Sequence, residues 1–148
     1  MAAVVATLAV SCIKMSSPLA EPVPPYTTLL HVGTQTIFVE VADNDKSRER
    51  GLAGRDRLTD MQGMLFDFQY TNISQPRFWM KGMKFALDFI WVKDGKIIGI
   101  TPLAPVENHI YDDEYKTYDP PGPVDQVPEV NAAWASDHHV KVGDTVKF

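Results

Sequence analysis

The chain has 148 residues, 45% of them hydrophobic, and a formal net charge of -5. That length carries one domain with a real core and is short for two. The acidic balance, without any long basic run, leaves little for the counterion release that drives nucleic-acid binding, so no nucleic-acid partner is expected.

The first element is residues 1–12, read as an export signal. Ala2 to Val10 is an apolar run too short to cross a bilayer as a helix and long enough for the central region of a secretory signal, although no Lys or Arg precedes it. The only cysteine, Cys12, follows in Leu8-Ala9-Val10-Ser11-Cys12, which resembles a bacterial lipoprotein box with Ala9 where Leu is usual. Lipidation at Cys12 and a plain signal peptide are the two readings; either implies a periplasmic or cell-surface protein, touching membrane only through its N-terminal anchor. With one cysteine no intramolecular disulfide forms. Residues 13–26 hold Pro18, Pro22, Pro24 and Pro25 without hydrophobic periodicity and predict an extended tether. A single globular domain is expected over 27–148.

Within it, Tyr26 to His31 and Thr36 to Val41 predict a hairpin around Gly33-Thr34, with Ile37, Val39 and Val41 on one face. Asn44 and Asp45 offer caps for a short charged helix ending at Gly51, and Gly63 to Phe68 reads as a strand. The densest apolar stretch is Pro76 to Ile100. In an extended chain Arg77, Trp79 and Lys81 share one face there, and Phe78 and Met80 the other. Leu87 to Val92 is nearly continuous in apolar residues, with Asp88 its single charge, which predicts a strand covered on both sides. Asp94-Gly95 fits a type I′ turn into a partner strand from Lys96 to Ile100. Glu107 to Val127 predicts a long irregular loop. Asn131 predicts an N-cap for a helix over Ala132 to Asp137, and Gly143-Asp144 a turn into a last strand.

Phe78-Trp79-Met80-Lys81 followed by Leu87-Asp88, the strand Gly63-Met64-Leu65-Phe66, the box Arg50-Gly51-Leu52-Ala53, and the block Val127 to Trp134 with Val140 to Phe148 together resemble the uncharacterised family called domain of unknown function 192. The box differs in having Ala53 where Met is usual. The resemblance spans roughly residues 36–148 and implies a mainly β (α+β) fold, a compact antiparallel barrel-like sheet with two short helices. It implies no established activity. Relatives carry cysteines in the loop region and this chain has none, so a redox or thiolate-metal role does not transfer.

Glu129 lies between Val127 and Val130, where a carboxylate needs a partner or a use. One reading is a buried ion pair with Arg50, Arg77 or Lys81. Another is a small-ligand site built from Arg50, Trp79, Lys81, Glu129 and Asn131, with Trp79 offering an aromatic face and Lys81 and Asn131 donors; ordinary core packing is the alternative for Trp79. A third reading pairs Glu129 with Asp88 as the two carboxylates of a hydrolase. No Gly-x-Ser-x-Gly elbow, phosphate-binding glycine loop or His-Glu-x-x-His motif is present, and no cofactor or metal is expected. Met61, Met64, Met80 and Met83 fit core filling better than a soft-metal site. Asp112, Asp113, Glu114 and Asp119 lack the spacing of a calcium loop. With its tyrosines, that loop is instead a candidate surface for docking another envelope protein.

Overall fold

A computed structural model describes residues 25–148; the segment expected to direct export, Cys12 and nearly all of the expected tether lie outside the described residues. Among the described residues seven strands form one sheet in the order β5-β4-β6-β3-β2-β1-β7: β1 Thr28–Val32, β2 Gln35–Ala42, β3 Gln62–Asp67, β4 Leu87–Lys93, β5 Lys96–Ala104, β6 Gln126–Asn131 and β7 Val146–Lys147. An isolated bridge between Lys96 and Thr145 draws the two edges together, so the sheet is a nearly closed barrel. Every ladder is antiparallel except β2 with β3. The parallel pair requires a crossover, and α1 (Asp45–Arg50) lies in it.

Two apolar cores lie on opposite faces of the sheet. The inner one takes Leu30, Ile37, Leu65, Ile90, Ile97 and Val130, and α2 (Trp134–Asp137) closes it with Trp134 and Ala135. The outer one gathers Met64, Phe66, Phe78, Phe89, Trp91 and Val127. β4 contributes to both, which is why its run from Leu87 to Val92 is wholly buried. On β2 the alternation holds throughout: Ile37, Val39 and Val41 face the inner core, while Phe38 and Ala42 face the outer one.

The Asp94-Gly95 turn has φ of 49° and 69°, the left-handed pair a type I′ turn demands. α1 starts on a reciprocal cap: the Asn44 side chain accepts from the Ser47 N–H, and the Ser47 hydroxyl is met by the Asn44 N–H. Three expectations need correction. Pro76 to Ala86 lies outside the named strands; Phe78 makes an isolated bridge with Tyr118 of the long loop. The long loop ends before Gln126, because Gln126 and Val127 belong to β6, and it contains a 3-10 turn at Asp112–Glu114. α2 begins at Trp134 with left-handed Ala133 as its cap; Asn131 instead ends β6 and its amide donates to the carbonyls of Leu58 and Thr59.

Candidate functional site

On the outer face a groove of about 520 Å³ opens between α1 and the segment Ile73 to Met83, floored by Phe66, Phe68 and Glu129. Each wall is held by local chemistry. α1 is pinned to the end of β3 by Arg48, which donates to the Asp67 carbonyl at 2.9 Å, pairs with Asp45 at 2.8 Å, and sits 5.5 Å over the Phe68 ring. Gly51 ends the helix at φ 52°, and a Cβ there would meet the Phe66 ring at 3.3 Å, so glycine lets α1 lie against the floor. The opposite wall hangs on Phe78, packed edge-on against Phe66 at 5.0 Å and Trp91 at 5.6 Å. That anchor, with Met80 buried beyond it, turns Arg77, Trp79 and Lys81 outward, as the alternation of an extended chain requires.

Glu129 is 5% exposed. Its neighbours across the ladders are Met64 on β3 and Phe89 on β4, both apolar. Burial alone drives its carboxyl up to about 8 from an ordinary 4.5, with no cation offsetting the loss of water. The expected ion pair is not formed: among the described residues, Lys81 pairs with Asp112 at 2.6 Å, Arg77 pairs with Asp119 at 3.0 Å, and Arg50 makes no salt bridge. Two of the cations available to Glu129 are thus claimed by acids of the long loop. Tyr115 from the same loop meets Trp79 edge-on at 6.1 Å, and the Lys81 ammonium lies 5.2 Å from the Trp79 ring.

Of the five residues read as a ligand site, Arg50, Trp79, Lys81 and Glu129 line this groove. Asn131 does not; it ties β6 to the loop after α1. Trp79 is 44% exposed, so core packing does not account for it. Asp88 and Glu129 cannot act together. Asp88 stands opposite Val130 and Glu129 opposite Phe89, which places the two carboxylates on opposite faces of the sheet. Asp88 is spent on backbone: it accepts the N–H groups of Leu103, Ala133 and Ala135 at 2.9 to 3.0 Å. The aromatic lining residues Phe66, Phe68 and Phe78 carry no sequence signal of a site, although Phe66 and Phe78 sit in the two apolar motifs that border it. Among the described residues no three His, Cys, Asp or Glu side chains are grouped to hold a metal.

Two solved structures share the fold. One is a candidate transcription regulator from Sinorhizobium meliloti 1021, 29% identical with a TM-score of 0.69, the match covering 80% of this chain and 89% of that one. The other is a protein of unknown function from Novosphingobium aromaticivorans DSM 12444, 25% identical with a TM-score of 0.74, covering 90% and 94%. No curated protein matches the chain. The family match runs over residues 28–148, through every strand and both walls of the groove, and the protein belongs to the DUF192 family, Uncharacterized ACR, COG1430.

Proposed function

We propose that this protein is an exported, single-domain accessory module of the cell envelope that binds a small ligand in the Glu129 groove. The observation that carries the reading is a carboxyl nine-tenths buried, without a protein cation, at the floor of an open groove. A group buried this way costs stability unless something repays the lost hydration, and a small molecule bound in the groove is a partner that would do so. The size supports this, because clefts of several hundred Å³ are the usual form of small-molecule sites, and here an aromatic floor lies beneath a charged rim. Export rests on the apolar run Ala2 to Val10 and on Cys12, and the acidic net charge of -5 argues for a partner other than nucleic acid.

The test is a thermal-shift screen of the full chain and of Glu129→Gln against glycans, amino acids, nucleotides and divalent metals. A ligand that raises the melting temperature of the wild type but not of the variant is the expected result, since whatever binds only the native state stabilises it. If no class shifts the wild type, the binding reading falls. Fractionation with intact-mass analysis tests the address: an unmodified Cys12 in cytosolic protein contradicts export.

A further inference from the structure

Resting on the binding reading, the chemistry of the groove also narrows the ligand. The floor and the wall beside it offer one carboxyl group among Phe66, Phe68 and Phe78. If only a neutral hydrogen-bonding group were wanted there, glutamine would serve without the cost of burying an acid. A carboxylate differs in being able to neutralise an incoming cation, and its two coplanar oxygens match a pair of parallel N–H donors. An ammonium head brings three donors to two oxygens and is strongly hydrated; a guanidinium or amidinium is planar, weakly hydrated and stacks on aromatic rings. The groove already holds one such contact, the Arg48 guanidinium over Phe68 at 5.5 Å.

The rim sets the other end. The charged groups facing the groove are Asp45, Arg48, Glu49 and Arg50 on α1 and Arg77 and Lys81 on the opposite wall, while β3 and β4 turn the apolar Met64, Phe66 and Phe89 toward Glu129. Arg48, Arg77 and Lys81 have acidic partners at 2.6 to 3.0 Å, and Arg50 makes no salt bridge among the described residues. Glu49 also makes no salt bridge among the described residues, but Arg48, Arg50, Arg77 and Lys81 outnumber Asp45 and Glu49 around the groove, so the rim favours an anionic end, and that end finds Arg50. We propose that the groove takes a zwitterionic small molecule whose planar guanidinium or amidinium head docks on Glu129 and whose anionic end meets Arg50.

Docking a permanent cation requires an ionised Glu129. Because burial holds the free carboxyl near 8, binding at pH 7 expels its proton to solvent, and affinity rises up to tenfold per pH unit until about pH 8. The experiment is isothermal titration calorimetry of the full chain with 4-guanidinobenzoate and 4-amidinobenzoate, at pH 6 to 9 and in buffers of differing ionisation enthalpy. Benzamidine, lacking the anion, and 4-(aminomethyl)benzoate, carrying an ammonium, are the comparison probes. Expected are release of close to one proton at pH 7, at least tenfold tighter binding than the ammonium probe, and loss of both in Glu129→Gln. Arg50→Ala weakens the two acids severalfold and leaves benzamidine unchanged. If Glu129→Gln does not fold, proton release by the wild type decides alone. Binding without proton release, equal binding of the ammonium probe, or no binding of either acid overturns the proposal. The thermal-shift screen separates the two failures: a different class binding through Glu129 sinks this ligand assignment and leaves the binding reading standing, whereas silence across the screen sinks both.

Discussion

The Asp88 carboxylate accepts the backbone N–H of Ala133 at 3.0 Å, and Ala133 stands at φ 69° in the left-handed region. The same oxygen accepts from Leu103, also left-handed at φ 56°, while the other accepts from Ala135. One buried side chain thus fixes the end of β5 and the entry to α2, both in conformations that non-glycine residues resist. Asp88→Ala leaves three backbone donors without their partner, that of Ala135 buried and those of Leu103 and Ala133 part-buried, and is expected to cost about 2–4 kcal/mol, read as a lower urea midpoint. Ala133→Gly removes the Cβ penalty at φ 69° and is expected to gain up to about 1 kcal/mol. A neutral Asp88→Ala would remove Asp88 as the anchor of both turns.

Glu129 makes stability fall with pH. Its carboxyl titrates near 8 in the folded protein and near 4.5 when unfolded, so between those values the native state holds the extra proton. The stability difference between wild type and Glu129→Gln is expected to change by about 1.4 kcal/mol per pH unit across that window, the wild type losing ground as pH rises. Denaturant titrations of both proteins from pH 5 to 9 check this; parallel curves would mean that Glu129 is already compensated.

Gly63 is needed for closeness. A Cβ there would lie 2.7 Å from the Glu129 carbonyl oxygen, a backbone atom fixed by the β3–β6 ladder, and 3.2 Å from the Ile37 side chain. Gly63→Ala should cost about 1–3 kcal/mol and move Glu129 relative to the groove, weakening ligand binding more than its loss of stability implies. Urea titration with ligand-binding assays on the same variant separates the two effects.

The Lys81–Asp112 pair is a surface latch. Both side chains are substantially exposed, so Lys81→Met or Asp112→Asn is expected to change global stability by less than about 1 kcal/mol. Amide exchange at Asp112 to Tyr115 should nevertheless quicken, because the loop loses its tie beside Trp79. Unchanged exchange in both variants would show that Tyr115 and Tyr118 hold the loop without the ion pair.

Much of the scaffold was legible because it is written locally. Asp94-Gly95 announced its turn through the backbone angles it permits, Asn44 and Gly51 bracketed α1, and the in-and-out order of Arg77 to Lys81 follows from extended backbone alone, so it survived the absence of a strand there. The site was half legible: Glu129 stood out as an acid in an apolar run, and Trp79 and Lys81 lay on the outward face. What stayed hidden depends on register between distant segments. That Asp88 and Glu129 face apart is settled by β4 lying against β6, and Asn131 finds its partners 72 and 73 residues away. Nor could charge alone tell that Asp112 and Asp119 would claim Lys81 and Arg77 ahead of Glu129.

The bridge that nearly closes the barrel also orders its assembly in time. β1 begins at Thr28, and its outer edge is covered by β7, with His31 against Lys147 and Val32 against Val146. Thr145 bridges to Lys96 at the far edge of the sheet. A ribosome-bound chain that has not yet released residues 145–147 therefore keeps both sheet edges open, however completely its hairpins have formed. Until those residues emerge, the exposed edges of β1 and β5 are where a chaperone, or an unwanted neighbour, can add a strand.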